Sequence, residues 1–212
     1  MSDETDRRRA IRRGYDDLAD AYAADRSPSA GEQAAFRALQ GRLADDAADR
    51  PRVLDAGCGA GTPVLAAFQE SPVDAVGVDF SAEQLGMATE RGPVLQGDIT
   101  ALPVDSATMD AVTAFHSTIH VPFEQHEALY REFARVLRPD GWLLASVGGE
   151  HWEGTNPDWL DAGAAMHWSF PSLATTKEYL HDAGFSIVEE WMSDDSLSDG
   201  EWPFLLCRLG DP

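Results

Sequence analysis

Arg52-Val53-Leu54-Asp55-Ala56-Gly57-Cys58-Gly59-Ala60-Gly61-Thr62-Pro63 is the stretch on which the fold turns. Its first five residues read as a short strand, and glycines at alternate positions follow at once. Helix patterning resumes at Thr62, with Pro63 tolerated in the first turn because its missing N–H would be unpaired there anyway. A strand, a glycine turn and a helix make a cradle. Glycines let the backbone approach a ligand, and the free N–H groups at the helix start favour its electron-rich parts. The dinucleotide fingerprint G-x-G-x-x-G would put its third glycine at position 62, where Thr62 stands. Asp55 adds an anion before the turn, which opposes a diphosphate and suits a cationic ligand.

Outward from this stretch, strands and helices alternate. Ala75–Val78 is a strand, and Ser81 with Gln84 makes a capping box for the next helix. Val94-Leu95 precedes Gly97-Asp98. Asp110–Phe115 is a strand, a helix runs from about Glu124 to Leu137, and Arg138-Pro139-Asp140-Gly141 stops it. Trp142–Val147 is the next strand, Thr175 and Glu178 cap a helix ended by Gly184, and strands at Phe185–Glu190 and Phe204–Leu209 follow. Such alternation predicts a doubly wound α/β sheet with helices on both faces. Upstream, Ile11, Tyr15, Leu18 and Tyr22 form one helical stripe, and Phe36, Leu39 and Leu43 form another. Together they predict a helical lid over residues 10–45 on an α/β core of residues 51–209, in one domain. The aromatic stretch 148–171 is a second lid on the acceptor side.

Three strands end in carboxylates. Asp55 faces the glycine turn, Asp79 is placed to accept from both hydroxyls of a ribose, and Asp98 is placed to accept from an adenine amino group. Each alone reads equally well as a cap or turn residue. Their joint occurrence describes a ligand with a ribose, a base and a positive charge, and S-adenosylmethionine fits.

The segments Val53–Gly61, Gly77-Val78-Asp79-Phe80-Ser81, Gly97-Asp98-Ile99 with Leu102-Pro103, and Leu137–Gly141 together resemble the class I S-adenosylmethionine-dependent methyltransferases. Tyr15-Asp16-Asp17-Leu18-Ala19-Asp20-Ala21-Tyr22 is similar to the Tyr-Asp-x-x-Ala-x-x-Tyr pattern of the small-molecule branch. The resemblance spans about residues 10–209. It implies a seven-stranded Rossmann-like sheet of order 3-2-1-4-5-7-6 with the last strand antiparallel. It also implies a cofactor site in which Gly57, Cys58, Gly59 and Gly61 line the methionine portion and Asp55 anchors its amino end. Asp79 would hold the ribose, Phe80 would pack on the adenine, and Asp98 with the Ile99 N–H would read its edge. Tyr15 would close from the lid, and Phe115 would sit at the end of the fourth strand. One departure is Asp140, where the usual pattern has glycine.

The acceptor side is read from Phe115-His116-Ser117-Thr118-Ile119-His120. An imidazole titrates near neutrality, so His116 and His120 are candidate bases for an oxygen or nitrogen acceptor. One helical turn would bring them together. His151 and Trp168 are candidate pocket residues, and no histidine has metal-ligand spacing. The segment lacks the Asn-Pro-Pro-Tyr or Asp-Pro-Pro-Tyr motif of amino-directed nucleic-acid methyltransferases. A small-molecule acceptor is therefore expected. Two rivals remain: a module that binds the cofactor without transfer, and a nicotinamide oxidoreductase, disfavoured by Thr62 and Asp55.

Of 212 residues, 37 are acidic and 16 basic, a formal charge of −21; among the basic residues only Lys177 is lysine. A chain this acidic is a poor general binder of nucleic acid. No apolar run approaches the ~18 residues that span a bilayer, and the charged start lacks a secretory signal. The expectation is a cytoplasmic protein without membrane or nucleic-acid partner, monomeric or homodimeric, holding no metal. Arg7, Arg8, Arg9, Arg12 and Arg13 read as one solvated helix face. The lysine-poor acidity resembles proteins of salt-loving microbes, in which concentrated salt screens self-repulsion. At ~1 M ionic strength the Debye length is about 3 Å. The melting temperature is therefore expected to rise markedly between dilute buffer and molar potassium chloride. A flat or falling value by calorimetry would reject the halophilic assignment.

Overall fold

Val53 and Leu54 point to opposite faces of strand β1 (Arg52–Ala56), and both are fully buried. A strand buried on both sides must lie inside a sheet covered by helices on both faces. The computed structural model describes residues 2–46, 49–161, 163–195, 197 and 200–210. In it β1 pairs in parallel with β2 (Asp74–Asp79) on one side and β4 (Met109–Ala114) on the other. Strand β3 (Val94–Gln96) extends the first side. The other side continues through β5 (Leu137–Ser146) to the antiparallel β9 (Glu201–Leu209) and β8 (Phe185–Asp194). The order β3-β2-β1-β4-β5-β9-β8 is the expected one once a separate hairpin is set aside.

Helices complete two apolar layers. On one face Leu54, Val78, Val112 and Leu143 pack under α6 (His126–Val136), whose Leu129, Tyr130, Phe133 and Val136 recur at helical spacing. Leu180 of α7 (Leu173–Asp182) joins this layer. On the other face Val53, Ala111, Leu144 and Leu206 meet Phe36, Leu39 and Leu43 of α3 (Ala30–Asp45). Val64 and Phe68 of the five-residue α4 (Val64–Phe68) close that layer, while α5 (Ala82–Ala88) covers β2 and β3.

Several local expectations are corrected. The N-terminal stripe breaks at Leu18 into α1 (Ser2–Asp17) and α2 (Ala19–Asp25). Helix α4 begins two residues after Thr62, and α6 follows a 3-10 turn at Phe123–Gln125. Helix α7 is capped by Ser172, whose hydroxyl accepts from the Thr175 N–H (3.2 Å), and not by Thr175 itself. Stretch 148–171 contains a hairpin of β6 (Trp152–Trp159) and β7 (Ala164–Phe170), paired only with each other. Asp140, the departure from glycine, has φ of 61°, a left-handed backbone that aspartate tolerates better than most residues. No helix among the described residues is long and apolar enough to cross a membrane.

Candidate functional site

Strand order reverses between β1 and β4, and ligands of open α/β sheets bind at the carboxyl ends beside such a reversal. The glycine turn lies there. Gly57 has φ of +80° and a Cβ on it would stand 2.2 Å from Ser117 Cβ, so only glycine fits. Gly59, with φ of +51°, faces more open space, with Gln84 Oε1 3.5 Å from the position of its Cβ. Gly61 is turned away from the cavity: its Cβ would meet Arg91 and Ala88, so it serves backbone shape and packing. The Cys58 side chain is also turned inward, among Leu65, Leu85 and Ala88. Burial, with Asp55 and Asp79 nearby, holds its thiol neutral.

A cavity opens over the turn, lined by Gly57, Gly59, Asp79, Phe80, Gln84, Asp98, Ile99, Phe115, His116 and His120, with Arg8, Tyr15 and Tyr22 from the lid. Asp79 is only 7% exposed. Its oxygens accept from the N–H groups of Gly59 (2.9 Å) and Ser81 (2.9 Å). It therefore braces the glycine turn from inside. Burial raises its pKa, opposed by these backbone N–H groups. Asp98 accepts from the Thr100 N–H (2.8 Å) and hydroxyl (2.7 Å) and pairs with Arg8.

Asp55 lies deeper, 3% exposed, and accepts from the Thr113 hydroxyl at 2.7 Å. It borders a neighbouring recess together with Arg26, Glu32, Gly57 and Cys58. Burial lifts its pKa to about 7, with Asp79 adding to the rise and Thr113 opposing it. In the folded chain this acid is raised above its unfolded value, so its ionisation removes stability as pH climbs from about 4 through 7. A cationic ligand favours the ionised form. If Asp55 holds the ammonium of S-adenosylhomocysteine, affinity should fall about tenfold per pH unit below 7 and level off above it. Titration calorimetry from pH 5 to 8 checks this, and Asp55→Asn should flatten the profile. A wild-type profile already flat across pH 7 would remove Asp55 from ammonium binding.

On the acceptor side, a 3-10 turn at Thr118–His120 brings His116 and His120 to one wall, as the spacing predicts. Their states differ. His120 Nδ1 is 2.8 Å from the His167 carbonyl oxygen, which can only accept, so Nδ1 carries the proton. Nε2 then accepts from the Tyr15 hydroxyl at 2.7 Å. Both nitrogens are committed, and burial pushes the imidazole pKa down to about 4. His116 instead has a buried Nε2 with no hydrogen-bond partner, 3.9 Å from Glu32 Oε2. Its backbone N–H donates to Ser146 Oγ at 2.6 Å, and its φ of 52° is a strained, left-handed conformation of the kind that gathers at functional sites. Glu32 is 1% exposed and is gripped by Arg26 at 2.9 and 2.8 Å, while Arg26 also reaches Asp195 at 3.0 Å. Neither Arg26 nor Glu32 was singled out from sequence. Glu32 lies in the first turn of α3, where its N–H donates to the Ser29 cap hydroxyl.

A second, roomier cavity shares Tyr15, Tyr22, His116 and His120 with the first. Its other walls are Trp152, Trp159, Trp168, Phe170 and Trp202, with Arg26 and Asp195 at one side. Trp168 lines this cavity, 5.9 Å ring to ring from His120. His151 is not: it is exposed against Phe123 (4.9 Å) and lines neither cavity. No cluster with metal-ligand character exists among the described residues.

The residues fit a nucleoside with a charged amino acid tail. Gln84 is fully buried yet both amide atoms lack partners, and it borders the first cavity where a ligand would satisfy them. At Gly57 the turn offers the cavity a backbone that leaves no room for a Cβ. The methyltransferase-domain family matches residues 7–190. The chain belongs to that family, the class I S-adenosylmethionine-dependent methyltransferases that its strand-end motifs resemble. Among its relatives is 24-methylenesterol C-methyltransferase 2 of Oryza sativa subsp. japonica, 27% identical over 185 residues, which are 77% of this chain and 49% of that one. The chain spans about half the length, or less, of the first curated relatives it matches. Among solved structures, the N1-methyltransferase of 1,6-didemethyltoxoflavin from Burkholderia thailandensis, crystallised with that compound and S-adenosylhomocysteine, superposes with a TM-score of 0.67 at 20% identity, covering 92% of this chain and 88% of that one. The 4+2 cyclase SpnF superposes with a TM-score of 0.67 at 20% identity, over 93% and 94%.

Proposed function

We propose that this protein transfers a methyl group from S-adenosylmethionine to an oxygen or nitrogen nucleophile of a small, flat or apolar molecule. One observation carries the reading: two cavities with different walls, one floored by the glycine turn and edged by the strand-end carboxylates Asp79 and Asp98, the other walled by tryptophans, meet at Tyr15, Tyr22, His116 and His120. Bound in the first cavity, S-adenosylmethionine would supply an electrophilic methyl on a sulfonium. Asp79 would accept from the ribose hydroxyls, Phe80 and Ile99 would flank the base, and Gln84 would satisfy its amide there. Asp55 would hold the ammonium in the recess that it borders.

The aromatic walls exclude water and orient the acceptor, which supplies most of the catalysis in an in-line displacement. The base is His116. Its Nε2 is free to take a proton, whereas His120 has no free nitrogen and serves to fix the Tyr15 hydroxyl. The charge of Arg26 is answered by Glu32 and Asp195, so the acceptor wall offers no uncompensated cation to an anionic substrate. Incubation with S-adenosylmethionine and a panel of phenols, heteroaromatic amines and aliphatic carboxylates tests the reading. Methylated phenol or heteroaromatic product is expected, and aliphatic carboxylates should be left unchanged. Cofactor binding with no product from any acceptor would favour the second reading, a binding module. The protein is further proposed to act without nucleic-acid partner, as a monomer or homodimer in the cytoplasm.

A further inference from the structure

Five arginines crowd residues 7–13 of α1, and they are not one solvated face. Arg9 and Arg12 have partners within the helix, Asp6 and Asp16, while Arg7 reaches Glu153 of the hairpin. Arg8 turns into the first cavity. Its guanidinium pairs with the Asp98 carboxylate, donates to the Thr100 hydroxyl at 3.0 Å and reaches the side-chain oxygen of Gln125. Arg8, Ile11 and Tyr15 recur at spacings of three and four, so they share a helix face. Seven residues of helix cover about 10 Å. One face of α1 therefore meets the cavity at two ends, through Arg8 at Asp98 and through Tyr15 at His120. Asp16, accepting from the Ser81 hydroxyl at 2.7 Å, adds a third tie.

We propose that Arg8 is a positioning residue of the cofactor site: it holds the Asp98 carboxylate in the orientation that reads the adenine amino group, and so couples base recognition to closure of α1. The proposal rests on the S-adenosylmethionine reading above. Asp98 is 40% exposed at its side chain, and its local bonds to Thr100 both fall on Oδ1. Arg8 takes Oδ2, the oxygen that would otherwise swing freely. A carboxylate has about four lone-pair sites, so acceptor capacity remains for an amino donor. A pair this exposed contributes little to stability, which leaves orientation as its effect and predicts that Arg8→Ala folds normally. A base with a carbonyl in place of the amino group would instead set oxygen against the held carboxylate.

Calorimetry with S-adenosylhomocysteine and S-inosylhomocysteine separates the outcomes. The wild-type chain should prefer the adenine compound at least about tenfold. Arg8→Ala should lose roughly tenfold in affinity for it and bind the two compounds within about threefold of each other. Arg9→Ala should match wild type in both. An Arg8→Ala protein that weakens on both compounds equally, or keeps full affinity, would overturn the positioning role, as would a wild type with no preference. Failure of the wild type to bind either compound would overturn the cofactor reading itself, and this proposal with it.

Discussion

Replacing Asp79 by alanine is expected to weaken S-adenosylhomocysteine binding about ten- to a hundredfold and to destabilise the fold. The first effect follows from losing ~1.5–3 kcal/mol of hydrogen bonding to a charged acceptor. The second follows from the structure: the N–H groups of Gly59 and Ser81 lose their acceptor in a buried site. Leaving them unsatisfied costs about 2 kcal/mol, or about 4–8 °C in a chain of this length. Asp79→Asn keeps one acceptor and nearly the same shape. It should recover part of the melting temperature while affinity stays low. An Asp79→Ala protein that melts like wild type and binds as tightly would remove this carboxylate from both roles.

Replacing His116 by glutamine should lower turnover about a hundredfold or more and leave S-adenosylhomocysteine affinity within about twofold. Asparagine is the better second variant, because it tolerates the left-handed backbone at this position. His120→Gln should cost far less turnover, since that imidazole has no free nitrogen and a pKa of about 4. It should instead loosen Tyr15 and lower stability. Equal, large losses from both histidines would place them in a shared role that their hydrogen bonding does not suggest. Near-normal turnover of His116→Gln would take histidine out of proton transfer altogether.

The sheet was legible because its signals are local. Val53-Leu54 alternates faces, the glycines are spaced for a turn, and three successive strands end in carboxylates. Even the strand order follows, because the reversal at β1 is common to the sheets these motifs resemble. The hairpin β6–β7 was not legible: Gly154, Asn156 and Pro157 break the period-two pattern that marks a strand, so the segment reads as a loop rich in rings. The cofactor-side candidates come from the same short motifs as the sheet: Gly57, Gly59 and Asp79 border the first cavity, whereas the inward turn of Cys58 and Gly61 depends on packing that the motif does not carry. The acceptor wall depends on long-range placement. Glu32 comes beside His116 only through the packing of α3, 84 positions away, and His151, just before β6, stands exposed against Phe123. Arg8 looks like its four neighbours in the sequence. Only helix phase and the position of Asp98 distinguish it.

The central claim is that the glycine-floored cavity takes S-adenosylmethionine and not a dinucleotide. Titration calorimetry of the wild-type chain against S-adenosylmethionine, S-adenosylhomocysteine and NAD tests it most directly. The expected result is one-to-one binding of the first two at Asp79-dependent affinity, with no heat from NAD. Saturable binding of NAD, with none of either adenosyl compound, would contradict it.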